Sequence, residues 1–204
     1  MRVDLHIHTS ERSSCALSTT LEQLSAARDA GLGAVAITDH HRLVPTRQRR
    51  EWSELFPEIL LLPGIEITLD AEGEDILVVG LDDPRLERGA WSWPELHDHV
   101  REHGGLLVLA HPYRYQAEIG IDLESRRPDA LEAYSPNVPS RHRGRIRQDA
   151  ERLGLPVVAN SDAHWASGIG AYANRLAVVA SDAAQVVAAI REGRFTVETP
   201  DPIR

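Results

Sequence analysis

The sequence predicts an α/β chain whose mainly parallel strands close into a barrel, and three observations carry that expectation. The chain has 204 residues, 42% of them hydrophobic, which is ordinary for one globular domain spanning residues 1–204. Short apolar runs of about five residues alternate with helix-like segments of about ten, the rhythm of βα units. Six apolar runs end in an imidazole or a carboxylate: His6 and His8, Asp39 to His41, Glu66, His111, Glu132, and Asp162 with His164. In a barrel the C-terminal strand ends all converge on one mouth, whereas an open sheet offers only the strands beside its switch point. The spread over nearly every run favours the barrel.

Taken in order, Val3 to Ile7 is the first strand, and Leu21 to Ala30 an amphipathic helix capped by Thr19 or Thr20 and stopped by Gly31. Ala34 to Thr38 is a strand, Arg47 to Leu55 a helix, and Ile59 to Leu69 a strand interrupted near Pro63-Gly64. Asp70 to Glu74 turns the chain into Ile76 to Leu81 as a hairpin. Pro94 after Ser92 opens a helix to about His103, closed by Gly104-Gly105 before the strand Leu106 to Ala110. Ala130 to Tyr134, a helix from Ser140 to Leu153, Pro156 to Ala159, Arg175 to Val179 and a helix from Asp182 to Arg191 complete the series.

Composition narrows the chemistry. All 22 basic residues are arginine, which excludes Schiff-base and P-loop mechanisms that need a lysine amine. One cysteine, Cys15, rules out a disulfide framework or a Cys-rich zinc site and suits a reducing compartment, so the cytoplasm is the expected location. No apolar stretch is long enough for a membrane helix, and the chain turns polar too early for a signal peptide. A net charge of −9 argues against indiscriminate binding to nucleic acid or anionic lipid.

His6 and His8, two apart on an extended segment, share a face and can grip one ion, while Glu66 and Asp162 add hard anionic ligands. Seven or more nitrogen and oxygen donors exceed one tetrahedral sphere and imply two or three metals bridged by carboxylates. Arg114, three residues beyond His111, is the candidate phosphate ligand, because a guanidinium matches phosphate bidentately. His97, His99 and His103 read as a solvated helix face, and Cys15 has no nucleophile pattern around it.

The motifs Asp4-Leu-His6-Ile-His8-Thr9, Ile37-Thr-Asp39-His40, Pro63-Gly-Ile-Glu66, Ala110-His111-Pro112 and Ser161-Asp162-Ala-His164, in that order, resemble the polymerase and histidinol phosphatase (PHP) superfamily from about residue 3 to residue 179. The resemblance implies a distorted seven-stranded (β/α)7 barrel with two or three manganese, zinc or iron ions that hydrolyses phosphate esters. By motif, His6, His8, Glu66 and Asp162 would hold the first metal, Glu66 and His111 a second, and His40 with His164 a third. In the loop that often gives the third metal an Asp or His, Glu11 is the carboxylate available. Asp75 stands where a His commonly precedes the fourth apolar run, either as a ligand of the second metal or as a hairpin cap.

The expected activity is hydrolysis of a small phosphate ester, a phosphomonoester, nucleotide or cyclic phosphate, by a metal-activated water, with His164 or Asp162 moving the proton. An exonuclease trimming DNA or RNA ends ranks second, kept open by the arginines from Arg141 to Arg147. A non-catalytic binding module and an amidohydrolase are the remaining classes, the latter lacking its usual bridging lysine.

Overall fold

The computed structural model describes residues 1–200 and opens on strand β1 (Arg2–Ile7), buried along nearly its whole length. Helix α1 (Thr20–Asp29) follows a reciprocal cap: the Thr19 hydroxyl accepts from the Glu22 N–H, and the Glu22 carboxylate accepts from the Thr19 N–H at 2.7 Å. Next come β2 (Ala34–Ile37), α2 (Thr46–Leu55), β3 (Leu60–Leu62), β4 (Gly64–Thr68) and β5 (Asp75–Val79). Helix α3 (Trp93–His103) repeats the reciprocal cap with Ser92 and Glu95. It ends at Gly104, whose φ of 80° a side chain would strain. The chain continues through β6 (Leu106–Leu109), β7 (Ala130–Tyr134), α4 (Ser140–Leu153), β8 (Val157–Ala159), β9 (Ala173–Leu176), α5 (Ala183–Arg191) and β10 (Phe195–Glu198).

These strands form two five-stranded sheets, β10-β9-β1-β2-β3 and β4-β5-β6-β7-β8. Each is mixed, because β1, β2 and β3 pair in parallel, as do β6, β7 and β8, while β4-β5, β5-β6, β1-β9 and β9-β10 are antiparallel. The expected (β/α)7 barrel is therefore corrected: among the described residues the ladder does not close. At one seam β3 pairs only with β2 and β4 only with β5, and a single bridge between His40 and Glu66 joins the sheets. Gly64 makes that approach possible, since a Cβ there would stand 2.8 Å from the Ile37 carbonyl oxygen. At the other seam the Asn174 side chain does the work of a strand, accepting from the Ala159 N–H at 3.0 Å and donating to the Ala159 carbonyl at 2.8 Å. The hairpin at β5 and the reversal at β9 and β10 break the βα repeat on which the barrel expectation rested.

Three apolar clusters fill the body. The largest packs α3 and α4, through Trp93, Leu96, Ile146 and Leu153, against Ile65, Ile76, Leu107 and Leu131 of the second sheet. A second joins Val3 and Leu5 of β1 to Leu77, Val79 and Val108 and to Val186 and Ile190 of α5. A third seats Leu24 and Ala27 of α1 on Val35 and Ile37. Glu66 pairs in register with Leu77, so its carboxylate shares a face with the second cluster. Because β5 runs against its neighbours, its first residue, Asp75, arrives where the parallel strands end. No helix among the described residues is long and apolar enough to cross a membrane.

Candidate metal centre

β1 carries His6 and leads into His8, and the loop after it is fixed by Asp39 at the end of β2. That carboxylate accepts from the Thr9 N–H (2.6 Å), the Thr9 hydroxyl (2.6 Å) and the Ser13 hydroxyl (2.7 Å), while the His40 N–H donates to Ser13 Oγ at 3.0 Å. Asp39 thus builds the loop that presents His8 and His40. Asp4 ties β1 to the last motif: its Oδ1 accepts from the Ser161 N–H at 3.1 Å and the His6 N–H at 3.3 Å, and burial pushes its pKa up to about 7.

Glu66 lies at the middle of four imidazoles. Its Oε1 is 3.4 Å from His6 Nε2 and 3.2 Å from His111 Nε2, and its Oε2 is 3.3 Å from His8 Nε2 and 3.1 Å from His40 Nδ1. Asp162 Oδ1 lies 3.2 Å from Nε2 of both His6 and His8, whose facing nitrogens are 3.1 Å apart. Asp75 Oδ2 is 3.8 Å from His111 Nε2, and its other oxygen accepts from Thr68 Oγ1 at 2.5 Å. His164 Nδ1 is 2.9 Å from the Asp162 carbonyl oxygen. Arg114 Nη1 approaches Asp162 Oδ2 at 3.7 Å, and its guanidinium lies 4.9 Å from the Tyr115 ring.

Sequence reasoning noted Glu132 as a strand end without giving it a role, and it missed Asn137. Glu132 Oε1 is 3.1 Å from His6 Nδ1 and accepts from Asn160 Nδ2 at 2.8 Å, and its Oε2 accepts from the His111 N–H at 3.1 Å. A proton on Nδ1 shared with Glu132 leaves His6 Nε2 as a lone-pair donor facing Glu66 and Asp162. Asn137 donates to Asp162 Oδ2. A lone carboxylate inside the buried strand Ala-Leu-Glu-Ala-Tyr was the available clue to the first; nothing local marked the second.

Two of these residues hold unusual backbone: His111 has φ 27° and Asp162 has φ 45°. Side-chain residues avoid that region, and the strain of about 1–3 kcal/mol each persists here where the side chains converge. Burial works to lower the His6 pKa, but Asp162, Glu66 and Glu132 outweigh it and hold the imidazole well above its ordinary value. His111 is raised the same way, against burial, by Glu66. Burial would raise Glu66 and Asp162, yet the His6 imidazole and its neighbours hold both below the usual carboxylate range. Burial keeps His40 and His164 below theirs.

The structure brings together His6, His8, His40, Glu66, Asp75, His111, Asp162, His164 and Arg114. It does not bring Glu11, whose carboxylate oxygens accept from the Thr20 N–H at 3.0 Å each and cap α1. Cys15 stands nearer: its sulfur and one ring nitrogen from each of His8, His40 and His164 lie within 4.8 Å of one another. Similar groupings unite His6, His8 and Glu66; His6, His111 and Asp162; and Glu66, Asp75 and His111. Asp83, His99 and His103 form another trio away from these, but the Arg85 guanidinium already holds Asp83 at 2.9 Å.

The cluster fits divalent transition metals. Glu66 Oε2 is buried with no hydrogen-bond partner, a cost that a cation would relieve, and His6 and His8 turn their Nε2 atoms toward the same two carboxylates. Imidazoles mixed with carboxylates suit manganese, iron or zinc.

Known structures share this fold, and one family model matches part of the chain. The family described as PHP-associated matches residues 140–195. PsfC from Pseudomonas syringae PB-5123 superposes with a TM-score of 0.70 at 20% identity, over 97% of this chain and 91% of that one. A two-domain Bacteroides vulgatus ATCC 8482 protein containing a predicted PHP-like metal-dependent phosphoesterase superposes with a TM-score of 0.72 at 18% identity. It matches over 98% of this chain, which spans 64% of that protein. An amidohydrolase from Chromobacterium violaceum, solved with sulfate and no metal, gives 0.65 at 16% identity over 79% of this chain and 87% of that one. No curated protein matches.

Proposed function

We propose that this chain is a metal-dependent phosphoesterase of the PHP superfamily acting on a small phosphate ester, and that it works in the cytoplasm; the PHP-associated match over residues 140–195 supports the family. The observation that supports this most is the Glu66 carboxylate held among four imidazoles, with Asp162 beside them and Arg114 at the edge. His6, His8, Glu66 and Asp162 would hold one ion, Glu66, His111 and Asp75 a second, and His40 with His164 a third. Such ions supply Lewis acidity, activating water and neutralising phosphoryl charge.

The chain's own residues supply the rest. Arg114, three-tenths exposed, turns its guanidinium toward the carboxylate end of the cluster, where it can take a phosphoryl oxygen. His164 donates through Nδ1 to the Asp162 carbonyl, which fixes its tautomer and leaves Nε2 as the lone-pair nitrogen that would serve the third ion. Glu132 and Asn137 hold His6 and Asp162 in place while charge develops.

A small ester is favoured over a polymer by the net charge of −9 and by the engagement of part of the arginine run: Arg143 donates to the Tyr172 hydroxyl, and Arg145 pairs with Glu118 and lies 4.1 Å from the Tyr113 ring. The test is a screen of manganese-loaded protein against phosphomonoesters, nucleotides, cyclic phosphates, short oligonucleotides and simple amides. Arg114→Ala should raise KM for the preferred phosphomonoester about tenfold or more, at the scale of a charged hydrogen bond, with a shallow salt dependence. Processive cleavage of oligonucleotides with a steep salt slope would select the exonuclease instead, and turnover of amides alone would select C–N hydrolysis.

A further inference from the structure

Two features of the first loop remain unused by that reading: the expected carboxylate, Glu11, faces away, and a thiol occupies the outer edge of the cluster. The loop is stapled on both sides of this thiol. Before it, Ser13 Oγ accepts from the His40 N–H at 3.0 Å. After it, the Leu17 and Ser18 N–H groups donate to the His164 carbonyl at 2.9 and 3.3 Å. Cys15 is thereby held between the two segments that carry His40 and His164, with the three sets of ligand atoms and His8 inside 4.8 Å. The His8 ring stacks 4.7 Å from His40 and 4.5 Å from His164, so the imidazoles already form a wall facing the sulfur.

We propose that Cys15 is a metal ligand, its thiolate joining His40 and His164 to hold a soft divalent ion of the zinc type at the outer edge of the centre. The inference rests on the reading of the cluster as a metal centre and goes beyond it by making the positions chemically unequal. In the outer group the histidines bring neutral nitrogen, and Cys15 is the member that brings negative charge. On binding, the S–H bond gives its proton to solvent and the sulfur lone pair goes to the ion, with no change in oxidation state. A sulfur and nitrogen set prefers zinc, cobalt(II) or iron(II) over manganese, whereas the positions around Glu66, Asp75 and Asp162 are oxygen-rich and accept manganese.

The single cysteine makes the test unambiguous. Metal-free protein and Cys15→Ser are each reconstituted with cobalt(II) and with zinc. The unmutated protein should show a near-ultraviolet thiolate-to-cobalt charge-transfer band that Cys15→Ser lacks, while the visible cobalt bands of the remaining ligands persist in both. Zinc loading should slow alkylation of Cys15 by iodoacetamide about tenfold or more, the scale of a change at a metal ligand, and EDTA should restore the rate. The alkylation arm needs no variant, so it stands even if Cys15→Ser folds poorly. Full-rate alkylation in a chain that carries zinc, or no charge-transfer band in a chain that carries cobalt, would overturn this inference alone. Absence of any bound metal in either protein would overturn it together with the reading of the centre.

Discussion

Glu66 meets four imidazoles, and the deepest of these, His6, is oriented from behind by Glu132 at 3.1 Å. Replacing that carboxylate with an amide of the same shape removes the charge behind His6 without removing a ligand. Glu132→Gln should therefore weaken metal binding about 10–100-fold with the far-ultraviolet circular dichroism unchanged, as read by competition with a chelator. Glu11→Gln should do the opposite, leaving metal content intact and lowering Tm through a weaker cap on the Thr20 N–H. The convergence of the central residues was legible because spacing alone places them: His6 and His8 alternate onto one face of a strand, and Glu66, His111 and Asp162 each close an apolar run. Glu11 was chosen by chemical type from a loop whose turn the sequence does not specify. Ser13 and Asp39 set that turn, sending Glu11 to α1 and Cys15 to the histidines. Asn137 reaches Asp162 only through a contact between separate loops, which no local pattern encodes.

At the scale of elements, the helices were readable almost to the residue because their stops and starts are local chemistry: Thr19 with Glu22, Ser92 with Glu95, and Gly104. Strand direction is not local. The β4-β5 hairpin was foreseen, but its consequence was not: β5 and β9 run antiparallel to their neighbours and leave two sheets joined at seams. The strand β10 escaped notice because Phe-Thr-Val-Glu is short and only half-buried. Gly64 is the most exacting position at the seam, since its missing side chain lets β4 approach β2 beside the His40 to Glu66 bridge. Gly64→Ala forces a methyl to 2.8 Å from a backbone oxygen and should destabilise by about 1–3 kcal/mol. Because the bridge bears Glu66, the same variant should lose metal at lower chelator concentration than the unmutated chain. Unchanged chemical denaturation and metal retention would show the seam to be tolerant.

For the whole molecule, protons and metal ions compete for one buried cluster of imidazoles and carboxylates. His6 and His111 have pKa values raised in the folded chain. Their stabilising contribution is thus complete below the unfolded value of about 6.5 and is lost as pH rises through the folded values. Glu66 and Asp162, lowered, contribute above an unfolded value of about 4 and are constant in that window. The Tm of metal-free protein should therefore fall as pH rises above about 6.5, and manganese or zinc should remove that fall by replacing the protons. A flat or rising Tm in the metal-free chain would mean the histidines are not charged by their neighbours. Elemental analysis of the purified chain, reconstituted with manganese, zinc or iron and freed of excess ion, tests the central claim most directly. Two or three ions per chain, falling by at least one in Glu66→Gln, is the result that follows from the cluster. No more than a trace of metal after reconstitution with each of the three would contradict it.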